Sequence, residues 1–295
     1  MNINTDSFIR ISQIIARDSK DTSYKFALLR ATNDVIDLYD HHIEDLGNRV
    51  SIPVGLIIER WLWYFYPLID SEIFLPQKNG EPALAKKGKN IAFRQDFVNL
   101  ILEYEENGGF NYFYNEYKKK ALDPEVYHYL KILIDKLYKT ITNMPMRYIG
   151  RSVSQQEYSV YQILEKKKTI RSKGVIDTEF LLGNYGRVAF PKDFYMVFKY
   201  LGGFVQGANS LIHNWADFIL GANKEISLEK TYVLEKLLYD PEVSRDVALV
   251  REYFQNSPEL SCVWSRKSIS HQDLNIDHVL PFAHFLNNDI WHLLT

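Results

Sequence analysis

The segment from Val54 to Ile69 carries Leu56, Ile57, Ile58, Trp61, Leu62, Trp63, Tyr64, Phe65 and Tyr66, so it is apolar almost all the way round a helix. Such a helix must be enclosed by protein, and the rest of the chain has to supply the cover. Ser51-Ile52-Pro53 provides its start, since proline is tolerated in a first turn, and Pro67 marks where it stops or kinks. With 295 residues the chain can build that cover as one large domain or two ordinary ones. No uninterrupted run of about 18 apolar residues occurs, so no membrane-spanning helix is expected.

Most of the cover reads as helix. Apolar residues at helical spacing predict a helix over Ser23 to Asp45, and others over Phe93 to Tyr104, Phe110 to Lys120 and Pro124 to Thr142. A Pro/Gly/Lys loop separates the central helix from the second of these, from Leu75 to Asn90. Between Arg147 and Gly186 the pattern turns strand-like, with Tyr158, Val160, Tyr161, Ile163 and Leu164, and Val188-Ala189-Phe190 continues it. Helical spacing returns over Lys192–Leu201, Gly207–Leu220, Leu228–Tyr239 and Pro241–Phe254. No internal repeat is read. The fold class expected is mainly α: a multi-helix region over residues 1–256, with a sub-boundary near 144–150, and a small module over 257–295 that starts at Asn256-Ser257-Pro258.

Composition narrows the class further. The chain is 46% hydrophobic and 24% charged, which excludes wholesale disorder and collagen-like repeats. A net charge of −2 means that any nucleic acid must be gripped by a local patch. Cys262 stands alone, so an internal disulfide and a multi-Cys zinc cage are out. The start lacks a basic stretch leading into an apolar core, so no secretory signal is expected. A cytoplasmic location follows as the expectation.

The chemistry-bearing residues cluster after Leu260. They run Cys262-Val263-Trp264-Ser265-Arg266-Lys267, then Ile276-Asp277-His278-Val279-Leu280-Pro281-Phe282, then Asn287-Asn288-Asp289-Ile290-Trp291-His292-Leu293-Leu294. A neutral histidine suits removal of a proton from water, and an aspartate oxygen suits a hard divalent ion; both are what phosphodiester hydrolysis requires. An isolated Asp-His pair is otherwise a hydrogen-bonded turn. Adjacent residues on a strand point to opposite faces, so Asp277 and His278 can converge only at an irregular strand end, with which Pro281 is compatible.

In the order and spacing of these pieces the C-terminal segment resembles the HNH endonuclease family. The resemblance implies a small α+β module of ββα-metal type in which Asp277 holds one Mg²⁺ or Mn²⁺ and His278 is the general base. It also implies DNA as partner, a role in bacterial restriction or phage defence, and a partner subunit of such a system. Three departures shape the expectation. Many family members bind a structural zinc through Cys-x-x-Cys pairs, but here Ser265 stands where the partner of Cys262 would be, so no structural zinc is expected and Cys262 reads as a small buried hydrophobe. His292 occupies the position that is usually asparagine, and is either a second site residue or an ordinary histidine. The family's last motif residue would follow Thr295, so an incomplete finger is expected. A pseudo-nuclease that binds nucleic acid or a partner without cutting is therefore the alternative.

Phosphate-gripping candidates are Arg266 and Lys267 within the module, and the run Lys166, Lys167 and Lys168. Lys86, Lys87, Lys89 with Arg94, and Lys118 to Lys120, form further basic clusters. Each also reads as a solvated face. The aromatic stretches Trp61–Tyr66 and Tyr112–Tyr117 are expected in the core rather than on bases.

Overall fold

The computed structural model describes residues 5–84, 86, 88–150, 159–168, 175–206, 211–242, 247–257, 260–279 and 293–294, with 203–206 and 249 described by backbone alone. The chain divides into two compact units, Met1–Asp240 and Pro241–Thr295. It is mainly helical, as the spacing predicts.

In the first unit the helices α1 (Thr5–Arg17) and α2 (Tyr24–Leu38) precede the central helix α3, which spans Val54–Ile69 as expected. All its residues from Val54 to Leu68 except Arg60 are buried. Its cover comes from α2, α4 (Arg94–Leu102), α5 (Gly109–Lys118), α6 (Pro124–Asn143) and α8 (Thr178–Asn184), while the one-turn α7 (Pro145–Tyr148) packs on α2 and α6. The helices α9 (Lys192–Gln206) and α10 (Leu211–Ala222) complete the unit, and α11 (Lys230–Leu237) also packs on α3. The aromatic stretches lie in this core except for Tyr112, which is exposed: Phe65 meets Phe93 at 4.8 Å, Tyr66 stacks on Phe110 at 4.6 Å, and Phe113 and Tyr117 are buried. Among the described residues no helix is long and apolar enough to cross a membrane.

The helix predicted over Ser23–Asp45 ends earlier, at Leu38. A single 3₁₀ turn at Asp40–His42 follows, and Glu44–Asp45 becomes strand β1, pairing with β2 (Arg49–Pro53). The reversal between them is an Asp45–Gly47 turn, with Gly47 at φ +86° and its N–H donating to Asp45 Oδ1 at 2.9 Å. Ser51-Ile52-Pro53 is likewise strand rather than helical first turn: Pro53 is extended and is the residue from which α3 starts.

Together with β3 (Gln162–Ile163) and β4 (Arg187–Pro191), these strands form an antiparallel sheet of order β1-β2-β4-β3. Its centre carries a repeat that the sequence reading missed. Arg49-Val50-Ser51-Ile52-Pro53 and Arg187-Val188-Ala189-Phe190-Pro191 share the pattern Arg-Val-x-apolar-Pro. They pair so that each arginine faces the other strand's proline, and each runs directly into a helix, α3 or α9. The arginines are used reciprocally, Arg187 donating to the Ser51 carbonyl at 3.1 Å and Arg49 to the Ala189 carbonyl at 3.2 Å. Three shared residues in a five-residue stretch are too short a match to stand out from chance similarity.

The second unit is small and has its own core. Val250 of α12 (Ala248–Gln255) packs with Leu260, Leu274, Ile276 and Leu293, and Val247, Phe254 and Ile269 border them. Strand β5 (Asp277–His278) pairs antiparallel with β6 (Leu293–Leu294), Asp277 facing Leu294 and His278 facing Leu293.

Candidate active site

The second unit begins its chemistry with a hairpin. Ser261 bridges Ser268, the Cys262 N–H donates to the Lys267 carbonyl at 2.9 Å, and the Arg266 N–H donates to the Cys262 carbonyl at 2.7 Å. Closing this tight reversal places Arg266 at φ +56°, a left-handed conformation unusual outside glycine. Cys262 does not join the small core as a buried hydrophobe. It is half-buried, its Sγ accepts the Ser265 N–H at 3.5 Å, and hydrogen bonds from the Ser265 side chain and the backbone of Ser265 and Trp264 hold the thiol below its ordinary pKa. The turn thus directs an N–H donor at the sulfur.

From Leu274 onward the chain alternates as a strand does. Leu274 and Ile276 point inward to the small core, while Asn275 and Asp277 are exposed. Asp277 lines a cleft of about 460 Å³ with Cys262, Trp264, Ser268, Ile269, Ser270, Asp273, Asn275 and Leu294. His278, next on the strand, is half-buried and is not among the described residues lining that cleft; its N–H donates to Asp277 Oδ1 at 2.8 Å. So the two residues are adjacent in the ladder, and only the carboxylate is in the cleft. His292, His284 and Pro281 lie outside the described residues. Arg266 and Lys267 are exposed on the hairpin. The oxygen donors of Asp277, Asp273 and Asn275 are of the type that Mg²⁺ and Mn²⁺ accept. Among the described residues no cluster of three or more His, Cys, Asp or Glu could hold a metal ion.

The other sequence candidates belong to the first unit. Lys166 and Lys168 are exposed, but Lys167 is ion-paired with Asp135 and sits 5.2 Å from the Tyr185 ring. Lys120 pairs with Asp177 at 2.8 Å. Arg94, expected at a phosphate-gripping surface, is instead 8% exposed. Its Nε and Nη2 meet the two oxygens of buried Glu81 at 2.8 and 3.1 Å, and Nη2 also donates to the Leu75 carbonyl at 2.9 Å. Glu81 in turn accepts the N–H groups of Gln77 at 2.6 Å and Ile91 at 2.9 Å. The loop from Leu75 to Asn90 is therefore pinned from inside by one ion pair. It borders a cleft of about 700 Å³ that includes Lys78, Lys86, Gln95 and Met144.

A second buried polar centre escaped the sequence reading. Glu59 of α3 has no exposed surface; it accepts the hydroxyls of Thr178 at 2.5 Å and of Tyr117 and Tyr39 at 3.2 Å each. Burial pushes its carboxyl up, but Lys118, Arg60 and the Thr178 and Tyr117 hydroxyls outweigh that and hold it below the usual carboxylate value. The signal was present as a charged Glu59-Arg60 pair inside an otherwise apolar helix.

Residues 4–237 match the family described as a domain of unknown function, DUF8808. The chain belongs to the DUF8808 family. The DUF8808 match takes in both buried centres and ends close to the division between the units, so the hairpin and the Asp277-His278 ladder lie beyond it. No curated protein and no solved structure matches the chain significantly.

Proposed function

We propose that the second unit is an HNH-type endonuclease that hydrolyses DNA phosphodiester bonds with one Mg²⁺ or Mn²⁺, in bacterial restriction or phage defence. The observation that supports this is the position of Asp277: an exposed carboxylate on a short antiparallel ladder, in a cleft formed against the hairpin that carries Arg266 and Lys267. In this reading Asp277 holds the divalent ion, which supplies charge neutralisation at the scissile phosphate and the leaving oxygen. The His278 imidazole takes the proton of the attacking water as its oxygen bonds to phosphorus and the phosphorus–oxygen ester bond breaks. Arg266 and Lys267 draw in the backbone, and His292 orients the site. The alternative, a pseudo-nuclease that binds without cutting, is favoured by the separation of the His278 side chain from the cleft that Asp277 lines.

Supercoiled plasmid tests the choice. The full chain should nick or linearise it with Mg²⁺ or Mn²⁺ and leave it intact in excess chelator. Retardation of plasmid in a gel without cleavage under either ion would select the alternative.

A further inference from the structure

We infer that Trp264 is a base-stacking residue, and that the cleft it shares with Asp277 takes an unpaired nucleobase of a single-stranded or locally opened nucleic acid. The inference rests on the nucleic-acid reading of the second unit, and not on cleavage. Trp264 is 80% exposed, the most exposed large hydrophobic side chain among the described residues, and Val263 beside it is 45% exposed. Hairpin tips favour Gly, Asn, Asp and Ser, so the turn itself has no use for an indole there. The hairpin holds the tip rigidly through the Cys262–Lys267 and Arg266–Cys262 bonds, and the Ile269 N–H donates to the Leu260 carbonyl at 2.9 Å. With the backbone of the tip already ordered, only the indole side chain has to settle when a base arrives.

The charges choose which part of a nucleotide enters. Asp273 and Asp277 line the cleft with Trp264, and without a divalent ion to neutralise them their carboxylates repel phosphate while tolerating a neutral base. Arg266 and Lys267, exposed on the same hairpin, offer the strand's phosphates a cationic surface instead. The polar groups of Ser268, Ser270 and Asn275 give a base edge donors and acceptors within about 460 Å³. In a paired duplex both faces of a base are already stacked, so the arrangement prefers unpaired strands.

The test is equilibrium binding of the full chain, in excess chelator, to a labelled oligothymidine of about twelve nucleotides, enough to cover one site of this kind. Wild-type protein should bind this strand more tightly than a duplex of the same length. Trp264→Ala should weaken single-strand binding by roughly 5- to 150-fold, the range that one lost base stack gives, while Trp264→Phe should stay within about threefold. Replacing the bases with abasic sites should weaken wild type by a similar factor and leave Trp264→Ala nearly unaffected, since the same contact is already gone. Lys267→Ala should weaken binding to both probes and flatten the salt dependence, which Trp264→Ala should not. Single-strand binding that ignores Trp264→Ala, equal loss on intact and abasic strands in Trp264→Ala, or no binding at all would overturn the inference. Because chelator suppresses hydrolysis, binding is read apart from cleavage: Trp264-dependent stacking with plasmid left intact under Mg²⁺ and Mn²⁺ would sink only the nuclease reading, and plasmid cleavage under either ion with Trp264-independent binding would sink only this one.

Discussion

Removing the Arg94 guanidinium leaves the Glu81 carboxylate buried with two backbone N–H donors and no counter-charge. Arg94→Met should therefore cost about 3–5 kcal/mol, as broken buried ion pairs do. Urea unfolding checks this, and the double variant Arg94→Met/Glu81→Gln should lose less than the sum of the two singles, because the stranded charge is gone. Glu59 gives a prediction in pH. Its folded carboxyl lies below the ordinary value of 4.5, so the stability it adds is present above that value and is lost as the pH falls through it toward the folded one. The urea midpoint should drop more between pH 7 and pH 4 for wild type than for Glu59→Gln. Equal drops would mean that Glu59 does not carry the linkage. Glu59 was marked in the sequence only as a charge inside an apolar helix, and the role of Arg94 was not legible there at all. Arg94 sits next to a run of lysines, and only burial distinguishes a structural guanidinium from a solvated one.

At the level of elements, α3 was legible from its all-round apolar pattern, and its bounds agree with the structure because a segment apolar on every side has to be enclosed by the other helices. The ends of α2 and the strand at Arg49–Pro53 were not, since short strands that borrow residues from helical-looking stretches are set by their partners, here Arg187–Pro191. The packing of α3 on α8 was also invisible: a Cβ at Gly55 would lie 2.3 Å from the Leu181 carbonyl oxygen. Helix propensity favours Gly55→Ala by about 1 kcal/mol, yet the backbone clash should outweigh it and leave a net loss of about 1–3 kcal/mol. A rise in thermal midpoint for Gly55→Ala would show that α8 yields instead. In the second unit the Asp277-His278 strand was legible as a motif. The alternation that separates the two side chains followed from strand geometry, but the cleft did not, because it depends on where the Cys262–Lys267 hairpin returns.

Across the whole molecule, the two units have separate cores, the second built on Val250, Leu260, Leu274, Ile276 and Leu293. Unfolding should accordingly run as two transitions. Leu274→Ala, which opens a cavity in the small core, should lower one of them and leave the other in place, whereas Arg94→Met should do the reverse. A single transition moved equally by both variants would contradict independent units. The DUF8808 match covers the first unit, and the chemistry proposed lies in the second, so the central claim is tested there, on His278. The most direct measurement is the single-turnover rate of DNA cleavage by the full chain at saturating Mn²⁺, for wild type and His278→Ala under the same conditions. Loss of a general base should slow the reaction by about 10²- to 10⁴-fold while DNA binding in chelator stays unchanged. A rate within a few-fold of wild type in His278→Ala would contradict the account.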